Sequence, residues 1–172
     1  MKIRILVSFL TILTIYSCTK EELPAAVATE KTPATPSVVN NINTSVMLGL
    51  INAARQAGCT CGTTVMPPVP VLMWNEKLSK AAYLHSKDMA DNNYFNHNNL
   101  QGLTPGQRIT AAGYNWSTYG ENIANGYASE QSVMAAWLKS EGHCKNIMGK
   151  NFKEVGFGRE KNYWTQNFGV QK

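Results

Sequence analysis

The 172-residue chain contains no apolar run of 18 residues, so no segment reads as a confident membrane-spanning helix. No H-E-x-x-H helix and no G-x-S-x-G elbow occurs, which removes two common hydrolase signatures. Charge is scarce, at 16% Asp, Glu, Lys and Arg with a formal net charge of +5, of which Lys2 and Arg4 supply two. No cluster of Lys or Arg lies beyond them, and a nucleic-acid footprint is excluded. No internal repeat is visible, and the length suits one domain with a real core.

The N-terminus has the anatomy of a secretory signal. Lys2 and Arg4 precede a short apolar run, Ile5 to Tyr16, and "IYSC" follows, after which polarity returns at once with "TKEEL". A positive start, a short hydrophobic run and a small residue before the cut describe a segment that is removed. The "IYSC" ending resembles a bacterial lipobox, so residues 1–17 are expected to be the signal peptide and Cys18 the lipidated first residue. Residues 18–43, rich in Ala, Thr, Pro and Glu without apolar periodicity, are expected to be a flexible tether. The folded domain is expected over 44–172. These features place the protein in the cell envelope, lipid-anchored at the outer membrane or cell surface.

Four helices are expected. Thr44 caps the first, whose Met47, Leu50, Ile51 and Ala54 share a face up to Gly58; Asn75 caps the second, with Leu78, Ala81, Ala82, His85 and Met89 on one side. Thr104-Pro105 opens a short third helix that Gly113 ends, and Ser129 opens the fourth, through Ser140. The tail changes period. "KEVGFGRE" and "YWTQNFGV", separated by Lys161-Asn162, predict a hairpin, and a further strand is expected near Tyr114–Trp116. Helices followed by strands indicate an α+β fold with helices packed on a sheet. "MPPVP", Met66 to Pro70, reads as a rigid loop. Gly156 and Gly158 suit tight strand packing, and the four tryptophans suit core or cleft walls.

Among the three histidines, His85 sits mid-helix among small and apolar residues and reads as a packed structural group. His97 in "NYFNHNNLQG" and His143 just past a helix end are loop residues that could share a cleft. Most carboxylates lie on helix faces. Glu121 in "TYGENIANG" instead follows Gly120 in an uncharged stretch, which aims it at a cleft or a backbone cap. Two imidazoles and a carboxylate form a divalent-metal set.

Cys144 stands directly beside His143. As a nucleophile it would need a base aligned to it, and side chains at adjacent positions diverge. A zinc ligand and half of a disulfide are the other readings, and an exported domain favours the disulfide. Cys59 and Cys61 are too close to bridge each other comfortably, so Cys144 is expected to pair with one of the two.

The ordered set "NYFNH", "GENIA", W-x-x-S-x-G-H-x-x-N-I-M, "VGFG" and "YWTQNFG" resembles the CAP superfamily of cysteine-rich secretory, venom-allergen and pathogenesis-related proteins and their bacterial relatives. The resemblance spans roughly Met47 to Val170. It implies a three-layer α-β-α sandwich with a small, mainly antiparallel sheet, and a cleft of two histidines and two acids that in some members holds zinc or another divalent ion. By motif the histidines match His97 and His143 and the first acid Glu121. The second acid would fall at Ser140, with Glu141 one residue later. Bacterial relatives that carry "CG" after the first helix imply Cys61 as the partner of Cys144, leaving Cys59 a free thiol.

The function this implies is binding of a ligand of unknown class (protein, lipid or glycan) in the cleft of a monomeric envelope lipoprotein, with zinc as the metal that could be present. The alternatives are a metal-dependent hydrolase with Glu121 as base and a structural or adhesive surface protein with a vestigial cleft.

Overall fold

A computed structural model describes residues 41–172. The signal peptide, Cys18 and the tether up to residue 40 lie outside the described residues. Helix α1 (Thr44–Ala57) is followed by a ribbon of β1 (Cys59–Cys61) and β2 (Thr64–Met66), then β3 (Met73–Trp74), α2 (Glu76–Asn92), α3 (Pro105–Ala111), β4 (Trp116–Asn125), α4 (Glu130–Lys139), α5 (Glu141–Ile147) and the hairpin β5 (Glu154–Glu160) and β6 (Tyr163–Gln171).

The helix starts obey local chemistry. The side-chain oxygens of Asn75, Thr104 and Ser129 accept from backbone N–H groups at the first turns of α2, α3 and α4, and Thr104 forms a reciprocal capping box with Gln107. Helix α1 is capped by Asn43 rather than Thr44, whose place is the first helical residue. The side chain of Asn43 accepts the N–H of Val46 at 3.1 Å. Helix α2 runs on to Asn92 and ends at Asn93 in the left-handed conformation.

The main sheet has the order β3-β5-β6-β4, parallel between β3 and β5 and antiparallel elsewhere. Its two faces are covered by different helices, giving three layers. On one side lie α1, α4 and α5, whose Met47, Ile51, Val133, Met134, Trp137 and Ile147 pack with Val155, Phe157, Trp164 and Phe168 of the hairpin. Burying side chains of this size contributes about 1.5–3 kcal/mol each. On the other side α2 lies on β5 and β6, and α3 closes a smaller cluster of Leu78, Ala81, Ile109 and Tyr114.

Helix α2 sits so low on the sheet because β5 has no side chains beneath it. A Cβ at Gly156 would lie 2.0 Å from the Ser79 nitrogen, and one at Gly158 would lie 2.1 Å from the Tyr83 nitrogen. The close approach lets two helical hydroxyls reach strand carbonyls: Ser79 Oγ donates to Phe157 O at 2.7 Å and Ser86 Oγ to Gly158 O at 3.0 Å.

Three further expectations need correction. The strand expected near Tyr114–Trp116 is the ten-residue β4, which carries the whole "GENIAN" stretch along the edge of the sheet through its ladder with β6. His143 is not in a turn past a helix. Ser140 ends α4 in an extended conformation and the backbone coils again at once as α5, with Gly142 inside it. Met66 belongs to β2, so the proline-rich loop starts one residue later.

Candidate functional site

Strand β4 is an edge strand, and its alternation sends neighbouring residues to opposite faces. Glu121 points to the α2/α3 side and Asn122 to the α4/α5 side, and the site wraps the edge between them.

Glu121 is buried, with 8% of its surface exposed, and a carboxylate there needs partners. Arg108, in the last turn of α3, supplies the main one: its Nη2 donates to Glu121 Oε2 at 2.6 Å. Its Nη1 donates to the carbonyls of His97 at 2.7 Å and Leu103 at 2.9 Å. Asn167, opposite Glu121 in the β4–β6 ladder, donates to Glu121 Oε2 and accepts from the Ala82 nitrogen, both at 3.2 Å, with its amide assigned in the orientation that satisfies both atoms. The remaining oxygen, Oε1, accepts from His97 Nδ1 at 2.8 Å. That bond fixes the tautomer with the proton on Nδ1. In the neutral ring Nε2 is then the lone-pair donor, on a side chain that is half exposed.

The loop carrying His97 hangs from the exit of α2. His85 Nε2 donates to Asn96 O at 3.0 Å, and the Tyr94 hydroxyl donates to Asp88. Burial pushes the His85 imidazolium down to about 4, so the ring is neutral at physiological pH and acts as a strut, as expected for a packed histidine.

His143 approaches from the other face. Asn122 Nδ2 donates to His143 O at 3.2 Å, and Asn146 Nδ2 donates to Asn122 Oδ1 at 2.9 Å and to Glu121 O at 3.2 Å. Burial first, and the charge of His97 second, lower the His143 imidazolium below the usual histidine range. A neutral ring is the form that binds metals and accepts hydrogen bonds. Beside it opens a cleft of about 270 Å³ lined by Phe95, Ile123, Tyr127, Trp137, Ser140 and His143. Phe95, two residues before His97, is 51% exposed at this cleft.

How well do these residues fit a divalent ion? The ligand atoms of His97, Glu121 and His143 do not gather within 4.8 Å of one another; among the described residues that property belongs to Cys59, Cys61 and Cys144. Both oxygens of Glu121 are also engaged. The carboxylate is therefore placed to orient His97, the usual outer partner of a metal-binding imidazole, and the open donors are the two rings. Ser140, at the second-acid position, caps neither helix with its side chain and lines the cleft. Glu141 does not replace the missing acid, because it turns outward to Lys145 at 2.5 Å.

Under the α5 turn, Cys61 and Cys144 form a disulfide, and both are fully buried. Cys59, half-buried, places its Sγ 3.5 Å from that of Cys144 and 3.8 Å from that of Cys61. Burial pushes its thiol up. A disulfide sulfur has no thiolate to offer, so in this state Cys144 is neither nucleophile nor metal ligand.

Sequence reasoning missed Arg108, Asn122, Asn146 and Asn167. Asn122 and Asn146 lie inside the "GEN" and G-H-x-x-N stretches that carry the resemblance, which was the available signal. Arg108 had none beyond being the basic residue of a short helix.

The sequence model of the cysteine-rich secretory protein family, CAP, matches residues 48–171. YkwD, an uncharacterized protein of Bacillus subtilis, is 37% identical over 153 residues, which cover 87% of this chain and 56% of that protein. The chain thus spans about half the length of this relative. The crystal structure of an extracellular protein containing a SCP domain from Bacillus anthracis superposes with a TM-score of 0.68 at 33% identity, covering 82% of this chain and 45% of that one. An outer surface protein of Borrelia burgdorferi shares the fold with a TM-score of 0.64 at 22% identity, over 74% of this chain and 92% of that one.

Proposed function

The chain belongs to the CAP family of cysteine-rich secretory proteins, and from that premise we propose that it is a binding module of the cell envelope, anchored through Cys18, whose cleft takes a ligand beside His97 and His143. The observation that carries this reading is the pairing of two unlike halves. One is a rigid polar edge, in which Arg108 and Asn167 hold Glu121 and Glu121 holds His97. The other is the adjoining cleft, walled by Phe95, Tyr127 and Trp137. A few fixed polar groups beside apolar walls suit recognition of a molecule with one polar end.

A divalent ion, zinc first, would be held at the polar edge by His97 Nε2 and His143, with Glu121 orienting His97. Two protein donors leave positions open for water or ligand, and the ion would supply Lewis acidity there. The hydrolase reading needs a free Glu121 oxygen as base, and both oxygens are already taken, Oε2 by Arg108 and Oε1 by His97. Binding is therefore preferred to hydrolysis.

Zinc titration calorimetry on the oxidised full-length chain tests the metal half. Micromolar or tighter one-to-one binding is expected, and it should vanish in H97A/H143A but persist in C59S. Absence of binding by the folded protein removes the ion from the proposal and leaves the cleft as a metal-free surface.

A further inference from the structure

Cys59 has no part in the binding site, yet its sulfur touches both sulfurs of the disulfide. The reason is local. Cys59 and Cys61 are separated by one residue on β1, so both side chains leave the same face of the strand, and that face looks at Cys144 in α5. Either thiol is thus presented to the same partner. A bond between Cys59 and Cys61 themselves is disfavoured, because two residues apart on an extended strand the Cα atoms stand about 6.6 Å apart, near the outer limit for a disulfide. Loop closure does not choose between the two pairings with Cys144, since the spans of 83 and 85 residues are nearly equal. Accessibility does distinguish them. Cys61 and Cys144 are fully buried, whereas Cys59 is the one of the three residues that is only partly buried.

We infer that the three cysteines form a thiol–disulfide exchange site, in which the half-buried Cys59 is the relay between the buried bond and thiols outside. In the internal step the Cys59 thiolate attacks Cys144 Sγ. A Cys59–Cys144 bond forms, the Cys61–Cys144 bond breaks, and Cys61 leaves as a thiolate that takes up the proton Cys59 gave up; no net oxidation occurs. Cys59 Sγ rests beside the existing bond, almost equidistant from its two sulfurs, so the step includes a rotation of a cysteine side chain to bring attack into line. In the external step a small-molecule or protein thiol attacks the now accessible Cys59 Sγ, and Cys144 leaves as a thiolate. A second equivalent of that thiol resolves the mixed disulfide. The balance is two external thiols oxidised to one disulfide and one protein disulfide reduced to two thiols. The class of partner is thus a thiol reductant or, in reverse, a disulfide oxidant of the envelope.

The test uses the full-length chain, isolated from an oxidising compartment and alkylated under denaturing conditions. Cys59 and Cys61 share one tryptic peptide and Cys18 lies in another, so fragmentation of that peptide locates the free thiol. Wild-type protein should carry the label on both Cys59 and Cys61, and folded C61S should contain a Cys59–Cys144 bond. In parallel, reduction by millimolar glutathione should be at least about tenfold slower in C59S than in wild type, because the remaining bond has no exposed sulfur. Folded C61S with Cys59 and Cys144 both free overturns the inference. So does a C59S reduction rate equal to wild type, a result that does not depend on C61S folding.

Discussion

Arg108 grips the acid and the backbone of the same histidine: one guanidinium nitrogen lies 2.6 Å from Glu121 Oε2 and the other 2.7 Å from the carbonyl of His97. The ring of His97 is therefore held from both ends, by its Nδ1 through Glu121 and by its main chain through Arg108. Lysine carries the charge but not the fork. Arg108→Lys should lose one of these bonds and Arg108→Ala all of them, leaving a buried carboxylate without its cation. The expected cost for Arg108→Ala is about 2–4 kcal/mol in urea denaturation, slightly below the range for fully buried pairs. Zinc affinity should fall with it even though Arg108 donates nothing to the ion.

His85 predicts how stability responds to acid. Its folded-state value of about 4 lies below the ordinary 6.5, so between those values the unfolded chain binds a proton that the folded chain does not. The contribution is complete above about pH 6.5, is lost as pH falls toward 4, and changes no further below that. The span corresponds to about 3 kcal/mol. Denaturation midpoints measured at pH 7 and pH 4.5 should differ accordingly, and His85→Gln should remove most of the difference while lowering stability at pH 7.

Gly156→Ala is expected to be among the most damaging single changes. Its Cβ would meet backbone atoms, Ser79 N at 2.0 Å and Leu78 C at 2.3 Å, which no side-chain rotation relieves. The loss should reach about 3 kcal/mol or more, read as a drop in melting temperature or as insoluble protein. Gly142→Ala, with open space around the new methyl group, serves as the control and should be tolerated.

Arg55 is a buried cation held by carbonyls, donating to Pro70 O at 2.7 Å, Ile147 O at 2.6 Å and Gly149 O at 3.1 Å. Burial lowers its pKa, yet it pins the end of α5 to α1. Arg55→Met keeps the apolar stem and orphans the carbonyls, at a cost of about 2–3 kcal/mol. Thermal melts should show the loss, and amide exchange should quicken first in α5.

Much of the fold is legible because its signals are local. Asn75, Thr104 and Ser129 each combine a short oxygen-bearing side chain with apolar periodicity beginning just after it, and the hairpin announces itself by a change of period. Strand β4 was nearly illegible for the opposite reason. "WSTYGENIAN" has little alternation of its own, and it is a strand because β6 lies beside it. Helix α5 was hidden by Ser140 and Gly142, which read as a stop although the backbone at Ser140 only pauses. At the site, the histidines and Glu121 stood out by residue type. Arg108 did not, since a cation 13 residues from its acid gains its meaning only after α3 has been folded back over β4.

The two bare positions of β5 have a reach well beyond β5. They set the height at which α2 rests; α2 ends in the turn at Asn93, and from that turn hangs the loop that carries His97. The placement of the imidazole is thus a tolerance inherited along a chain of rigid parts, and its first link is a pair of hydrogen atoms. Selection for a binding cleft would be felt at Gly156 and Gly158 as strongly as at the histidines, although neither glycine has a side chain to bring to the ligand.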